Sequence, residues 1–264
     1  MCGYIESLTD PSYYLQIVLQ TFPLIGNYGF IYEDCESRKS YVSAYIVREK
    51  CDNPSNFRCN KTLDSFLKAN GIIGVYDVDT REITKIIRKS GVMNAFICSN
   101  PNDADYDKLK EYTVKDAVKS VSVEKPSLIP SETHKYNVVL LDYGKKDNIA
   151  NELAKRGCNV AVVPYNTKAE DILNLNPDGI MLSNGPGDPA ENTECIEELK
   201  KLIGKKPIFG ICLGHQLLAL AMGGKTVKLK YGHRGVNQPV KNTKTGRTYI
   251  SSQNHGYAVV NEEI

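Results

Sequence analysis

The sequence predicts an α/β fold in residues 136–264, with a parallel sheet covered by helices on both faces, and a smaller N-terminal mixed α+β domain. Two observations support this prediction. Strand-like apolar runs alternate with helix-like segments in the second half, whereas turn signals separate short apolar runs in the first 100 residues. The polar stretch between the halves is typical of a connector. We therefore predict domains at 1–120 and 136–264, joined by a connector at 121–135.

Each element of the second half follows from its local pattern. NVVLL at 137–141 predicts a buried strand, and KKDNIANELAKRG at 145–157 predicts an amphipathic helix closed by glycine. The remaining predicted elements are a strand at 158–164, a helix at 169–175, a strand at 179–183, a helix at 194–204, a strand at 207–211 and a following helix. Ligands of such sheets bind at the carboxyl ends of the strands.

The N-terminal half predicts short strands and two helices. The helices are expected at 61–70 and 80–90, because a glycine follows each segment directly. We expect Thr80 to cap the second helix, with Ile83 and Ile87 on one face together with Ile86.

Composition excludes several classes of partner. The net charge of +2 gives no electrostatic reason to expect nucleic acid or an anionic membrane. No apolar run approaches the roughly 20 residues of a membrane helix, and no secretory signal is visible at the start. The eight cysteines form no C-x-x-C pair, so we interpret them as reduced thiols without a metal in a cytoplasmic protein.

Cys212 lies between Gly210 and Gly214, where a predicted strand meets a predicted helix. This G-x-C-x-G form is typical of a nucleophile elbow, in which a tight turn lifts the side chain above the sheet. The helix N-terminus then favours thiolate, and the amide of Leu213 points to where an oxyanion would form. The alternative is a buried structural cysteine in a turn containing glycine.

Two other segments carry polar groups suited to ligand contacts. SNGPGDP at 183–189 follows the neighbouring strand, and its glycines permit close approach of a ligand to the backbone. SQNHGY at 252–257 combines amide, imidazole and phenol groups. The alternatives are an ordinary turn for the first segment and a hairpin or strand end with a satisfied histidine for the second.

Taken together, these motifs resemble a known family. The second half resembles the class I glutamine amidotransferases, and the whole chain resembles the small subunit, or glutaminase domain, of carbamoyl phosphate synthetases. The segments that carry the resemblance are GYIESLTDPSY (3–13), TFPLIGNYG (21–29), DVDTREITKIIR (77–88), LSNGPGDPA (182–190), PIFGICLGHQLLALAMGGKTVKLKYGHRGVNQPV (207–240) and SQNHGYAV (252–259).

The resemblance implies that Cys212 is a nucleophile attacking the side-chain amide of glutamine, forming a glutamyl thioester. The residues that match the family's glutamine site are Ser12, Gly185, Gly187, Leu213, Gln216, Asn254, Gly256 and Tyr257. It also implies a partner, either a synthetase large subunit or a fused synthetase domain, which serves pyrimidine or arginine biosynthesis. Because no G-x-x-x-x-G-K-[ST] loop occurs here, ATP and Mg²⁺ or Mn²⁺ are expected to bind that partner.

The family supplies its catalytic base from a His-Pro-Glu segment downstream of the motif matched by SQNHGYAV. The 264 residues contain no such segment, so we expect a fragment truncated at both ends that does not hydrolyse glutamine alone and is poorly soluble. We expect His215 to be structural, with the turn directing it towards the core or a neighbouring strand.

Two other functions are considered. A pseudo-glutaminase scaffold that binds a synthetase without hydrolysis fits the missing base, but the intact Cys212 argues against it. A glutaminase of another synthetase, such as the GMP or anthranilate enzymes, is disfavoured because residues 3–29 and 77–88 have no role in such domains.

Overall fold

The computed structural model describes residues 3–260 and confirms the predicted α/β class. Its first half is built from short elements, in agreement with the density of turn signals. In chain order they are α1 (Tyr4–Thr9), β1 (Ile17–Leu19), β2 (Leu24–Ile25), β3 (Ala44–Ile46), β4 (Glu49–Lys50), α2 (Leu63–Ala69), β5 (Ile73–Val75) and α3 (Thr80–Ser90).

The N-terminal strands form two small parallel sheets. β1, β3 and β5 make one in the order β1-β3-β5, and β2 pairs with β4 in the other. Aromatic side chains fill much of the core beneath them: Phe30 stacks on Phe66 of α2, and Tyr4 of α1 stacks on Tyr28. This aromatic core anchors α1 and, through it, the turn that follows at residues 10–13.

Helix α3 has the predicted length but a different cap. The carboxylate of Asp79, rather than Thr80, accepts the backbone N–H of Glu82, so the expectation that Thr80 caps the helix is wrong. Thr80 is the first helical residue, and aspartate one position earlier occupies the cap with the same chemistry. The isoleucine face is only partly covered, and Ile86 is exposed.

The second half contains the larger sheet. Its elements, with the short helices that precede it, are α4 (Tyr106–Glu111), α5 (Ala117–Val121), β6 (Ser127–Ile129), β7 (Tyr136–Asp142), α6 (Asp147–Lys155), β8 (Cys158–Pro164), α7 (Ala169–Asn174), β9 (Gly179–Leu182), α8 (Thr193–Leu202), β10 (Ile208–Gly210), α9 (Leu213–Ala221), β11 (Thr226–Lys241) and β12 (Thr248–Val259). The strand order is β10-β9-β7-β8-β6, with β6 antiparallel to β8 and every other pair parallel. The predicted connector thus contributes an edge strand, while the domain division stays a prediction.

Alternate residues of the strands pack against helices on opposite faces of this sheet. Leu141 and Leu182 lie in the cluster that includes residues of α7, α8 and α9. Leu140 and Val162 lie in the other cluster, with Ala150 of α6. Because both faces are covered, the strands read as continuous apolar runs, which is why the sequence predicted them closely.

A long antiparallel hairpin, β11–β12, follows α9, and its second strand contacts the side chain of Cys212 between β10 and α9. No helix among residues 3–260 is long and apolar enough to cross a membrane. The seven cysteines within the described residues are free thiols, and Cys2 lies outside them.

Candidate active site

The turn between β10 and α9 holds Cys212 in a strained backbone conformation. Its φ of 51° and ψ of −108° lie where side chains other than glycine are disfavoured. A Cβ at Gly210 would lie 2.5 Å from the backbone nitrogen of His215, and one at Gly214 would lie 2.5 Å from the carbonyl oxygen of Leu182. Both flanking glycines are therefore required by close backbone contacts, which is the geometry of a nucleophile elbow.

The Cys212 thiol faces the hairpin. Its Sγ donates to the backbone oxygen of Asn254 at 3.4 Å. Burial raises the pKa of the thiol to about 11 and outweighs the backbone N–H of Leu213, which lowers it. The expected preference for thiolate at the helix N-terminus is therefore present as a contribution but is overcome by desolvation, and the resting group is a neutral thiol.

The loop after β9 packs directly against the elbow. A Cβ at Gly185 would collide with the carbonyl oxygen of Tyr143 at 2.2 Å and with the side chain of Leu213 at 2.8 Å. Gly187 has a φ of 90°, which favours glycine. The backbone N–H of Gly214 donates to the carbonyl oxygen of Ser183 at 3.0 Å, so a main-chain hydrogen bond joins this loop to the elbow.

The N-terminal half of the chain contributes to the same site through Ser12. Asn184 donates from Nδ2 to Ser12 Oγ at 2.9 Å and to the carbonyl of Gly144 at 2.9 Å. Ser12 is almost fully buried at this contact. The structure therefore brings the predicted residue of the first half to the loops of the second half.

The β11–β12 hairpin forms the wall of the site that contacts α9. Gln216 of α9 donates from Nε2 to the carbonyl of Tyr257 at 2.8 Å, and Nδ1 of His255 lies 2.7 Å from the same oxygen. Burial and a hydrogen bond with Asp188 raise the pKa of Tyr257 to about 12. His255 is also 3.2 Å from His233, so it is a satisfied strand histidine, as the alternative interpretation had it.

These elements enclose a cleft of about 530 Å³, a volume within the range of small-molecule sites. Five of the predicted residues line it: Ser12, Cys212, Gln216, Asn254 and Tyr257. The other four do not line it. Gly185, Leu213 and Gly256 are each next in sequence to a lining residue, whereas Gly187 lies against Ala117 outside the lining.

The structure adds three residues to this cleft that sequence reasoning missed or misplaced. Asp10 and Lys146 line it beside Cys212 and form an ion pair at 3.2 Å. His215 is exposed and also lines the cleft, so the expectation that it points to the core or a strand is wrong. It is the third residue of α9, three positions after Cys212.

No set of three or more histidine, cysteine, aspartate or glutamate side chains suited to a metal occurs within residues 3–260. The charged groups facing the thiol are Asp10, Lys146 and Arg234, which act on its pKa in opposite directions. The cleft therefore offers a thiol, backbone amides and one carboxylate–ammonium pair for chemistry on a polar molecule.

Comparison with known proteins agrees with this arrangement. A family model for glutamine amidotransferase class-I matches residues 139–264, and one for the carbamoyl-phosphate synthase small chain, CPSase domain, matches residues 1–97. A carbamoyl phosphate synthase small chain of Clostridium perfringens is 53% identical over 98% of this chain and 74% of the relative. This chain belongs to the carbamoyl phosphate synthase small-chain family.

Other members of the family are equally similar. The small chain of Bacillus thuringiensis subsp. konkukian is 54% identical over 100% of this chain and 72% of the relative, and that of Fusobacterium nucleatum is 52% identical over 98% and 73%. A solved glutamine amido transferase from Methylobacillus flagellatus matches with a TM-score of 0.35 and 17% identity, over 51% of this chain and 58% of that one.

Proposed function

We propose that Cys212 is the nucleophile of the glutaminase reaction and that the cleft beside it binds glutamine. As a member of this family with a class I amidotransferase domain, the chain is the glutamine-hydrolysing component of carbamoyl phosphate synthase. The observation that supports the assignment of Cys212 is its strained elbow, which directs the sulfur into a cleft lined by polar groups from both halves.

The reaction begins when the Cys212 thiol loses its proton and the sulfur attacks the side-chain amide carbon of glutamine. A C–S bond forms and the carbonyl oxygen becomes an oxyanion, towards which the N–H of Leu213 and the loop around Gly185 offer donors. The C–N bond then breaks, ammonia leaves after taking up a proton, and a glutamyl thioester remains. Water hydrolyses the thioester to glutamate and restores the thiol.

Because the resting pKa of Cys212 is about 11, the proton must be removed as the sulfur attacks. No histidine ring within residues 3–260 is hydrogen-bonded to Sγ. The base is therefore not assigned to a described residue.

Glutamine recognition is proposed for the residues that surround the sulfur. The α-amino and α-carboxylate groups need several donors and acceptors, which Ser12, Gln216, Asn254 and Tyr257 provide from three separate segments. For the four predicted residues outside the lining, Gly185, Gly187, Leu213 and Gly256, we propose contacts through backbone groups.

Ammonia released here would pass to a synthetase partner, either a large subunit or a fused domain, which binds ATP and Mg²⁺ or Mn²⁺. This part of the proposal rests on the family to which the chain belongs. A cytoplasmic location is proposed from the same membership and from the free thiols of the described residues.

The test is the glutamine-dependent activity of the assembled enzyme with Cys212→Ser. We expect a loss of at least about 10³-fold, because the oxygen nucleophile lacks the reactivity of a thiolate. Synthesis of carbamoyl phosphate from free ammonia should be unchanged, because ammonia bypasses the missing step.

The matched control is Cys98→Ser, which changes an exposed thiol and should leave both reactions intact. Glutamine-dependent activity that survives Cys212→Ser would refute the assignment of the nucleophile.

A further inference from the structure

Asp10 is a buried carboxylate that contacts residues of both halves of the chain. Its side chain is 2% exposed, so its charge must be satisfied by neighbouring groups. It lines the glutamine cleft as the single carboxylate among the residues of that wall in the described chain.

The two oxygens of this carboxylate serve different segments. Oδ1 accepts the backbone N–H of Ser12 at 2.8 Å and caps the short turn at Pro11–Tyr13. This local bond fixes the direction of the side chain, because Pro11 restricts the backbone immediately after it.

Oδ2 is directed away from that turn, towards the second half. It lies 3.2 Å from Nζ of Lys146, just before α6, and accepts Nδ2 of Asn254 on β12 at 3.3 Å. Three donors therefore converge on one carboxylate, which leaves it little capacity to bind substrate directly.

The groups that Asp10 holds all line the cleft: Ser12, Lys146 and Asn254. Burial alone would lower the pKa of Lys146, but the charge and hydrogen bond of Asp10, together with Glu36, outweigh it and raise the pKa. Lys146 therefore stays protonated at the edge of the cleft. Asn254 also places the carbonyl that accepts from the Cys212 thiol.

We propose that Asp10 is a positioning residue that sets the places of Lys146, Asn254 and Ser12 for glutamine binding, without touching the reacting atoms. The inference rests on the proposed function of the cleft. An asparagine at position 10 that keeps its oxygen on the N–H of Ser12 turns an N–H donor towards Lys146 and Asn254. The flipped amide offers those two groups an uncharged oxygen but loses the bond to Ser12. The charge-assisted contact is lost in both cases.

The test is the steady-state kinetics of the assembled enzyme with Asp10→Asn. We expect the KM for glutamine to rise about tenfold or more, as the loss of one charge-assisted hydrogen bond would produce, while kcat changes less than about threefold. Synthesis from free ammonia should be unchanged. Asp79→Asn is the matched control, because that aspartate caps α3 with the same kind of bond and is not among the residues that line the cleft.

A second variant keeps the inference testable if Asp10→Asn folds poorly. Lys146→Gln removes one of the held groups. We then expect the fold increase in KM of the double variant, Asp10→Asn with Lys146→Gln, to be smaller than the product of the fold increases of the two single variants. The reason is that the two residues act through one contact.

Unchanged KM in soluble Asp10→Asn enzyme, or an equal loss of the ammonia reaction, would overturn the positioning role. So would fully multiplicative effects in the double variant. Failure of the proposed function would give a different result, because glutamine-dependent activity would then persist in the Cys212→Ser variant.

Discussion

At the scale of single residues, the backbone is strained at Cys212, the residue whose sulfur is proposed to react. Among the described residues other than glycine, only six have a positive φ, and Cys212 is one of them. Such conformations cost roughly 1–3 kcal/mol each and persist only where the surroundings impose them. Here Gly210 and Gly214 allow the close packing that imposes it.

The strain predicts that Cys212→Gly is more stable than Cys212→Ala. Both variants lose the thiol. Glycine adopts a φ of 51° without steric cost, whereas alanine retains the backbone strain. We expect a difference of about 1 kcal/mol in the free energy of unfolding, after the greater flexibility of glycine in the unfolded chain is subtracted.

Urea unfolding of the two variants measures this difference directly, since their side chains differ by a single methyl group. Equal stability, or greater stability of the alanine variant, would show that the turn is not strained at this residue.

Residue-scale features beyond the elbow were only partly readable from the sequence. The offsets of the glycines around Cys212 identified the turn, because that requirement is local. Asp10 was read only as part of a turn signal, since its partner Asn254 lies 244 positions away. The exposure of His215 also depends on tertiary packing, which no local pattern encodes.

At the scale of elements, the elbow depends on how closely α9 approaches β9. Gly214 is in the first turn of α9, and its backbone N–H donates to Ser183. A Cβ there would lie 2.5 Å from a backbone oxygen and 2.6 Å from the Cβ of Leu182. These atoms belong to a central strand and have little freedom to move.

Gly214→Ala should therefore destabilise the protein by roughly 1–3 kcal/mol or more, as overpacking does, and should displace the sulfur. Thermal unfolding provides the measurement. Gly179→Ala is the matched control in β9, because its nearest neighbour would be the carbonyl oxygen of Pro207 at an ordinary 3.6 Å.

We expect the control to stay within about 1 kcal/mol of the parent protein. Similar melting temperatures for the Gly214→Ala variant and the parent would contradict the packing account of the elbow.

The sheet strands were predicted well because burial on both faces produces unbroken apolar runs, as at 158–164. A hairpin was considered only as an alternative for residues 252–257, and the extent of β11–β12 was not predicted. Most of its residues in β11 are exposed, and bulges interrupt its register between Lys228 and His233 and between Gly235 and Gln238. An alternating pattern cannot persist through such irregularities.

At the scale of the whole molecule, the cleft is assembled from both halves of the chain. Ser12 and Asp10 come from the first half, whereas the elbow, the loop after β9 and β12 come from the second. The two family models match these halves separately. The N-terminal half therefore completes the wall of the site, in addition to any contact it makes with a partner.

The central claim is that the Cys212 sulfur faces a glutamine site. Its most direct test is mass spectrometry of the protein after reaction with a chloroketone analogue of glutamine, which places an electrophilic carbon where the amide carbon would lie. We predict modification of Cys212 that excess glutamine prevents, with the exposed Cys98 reacting slowly and without protection. Equal labelling of all the cysteines, or labelling of Cys212 that glutamine does not reduce, would contradict the account.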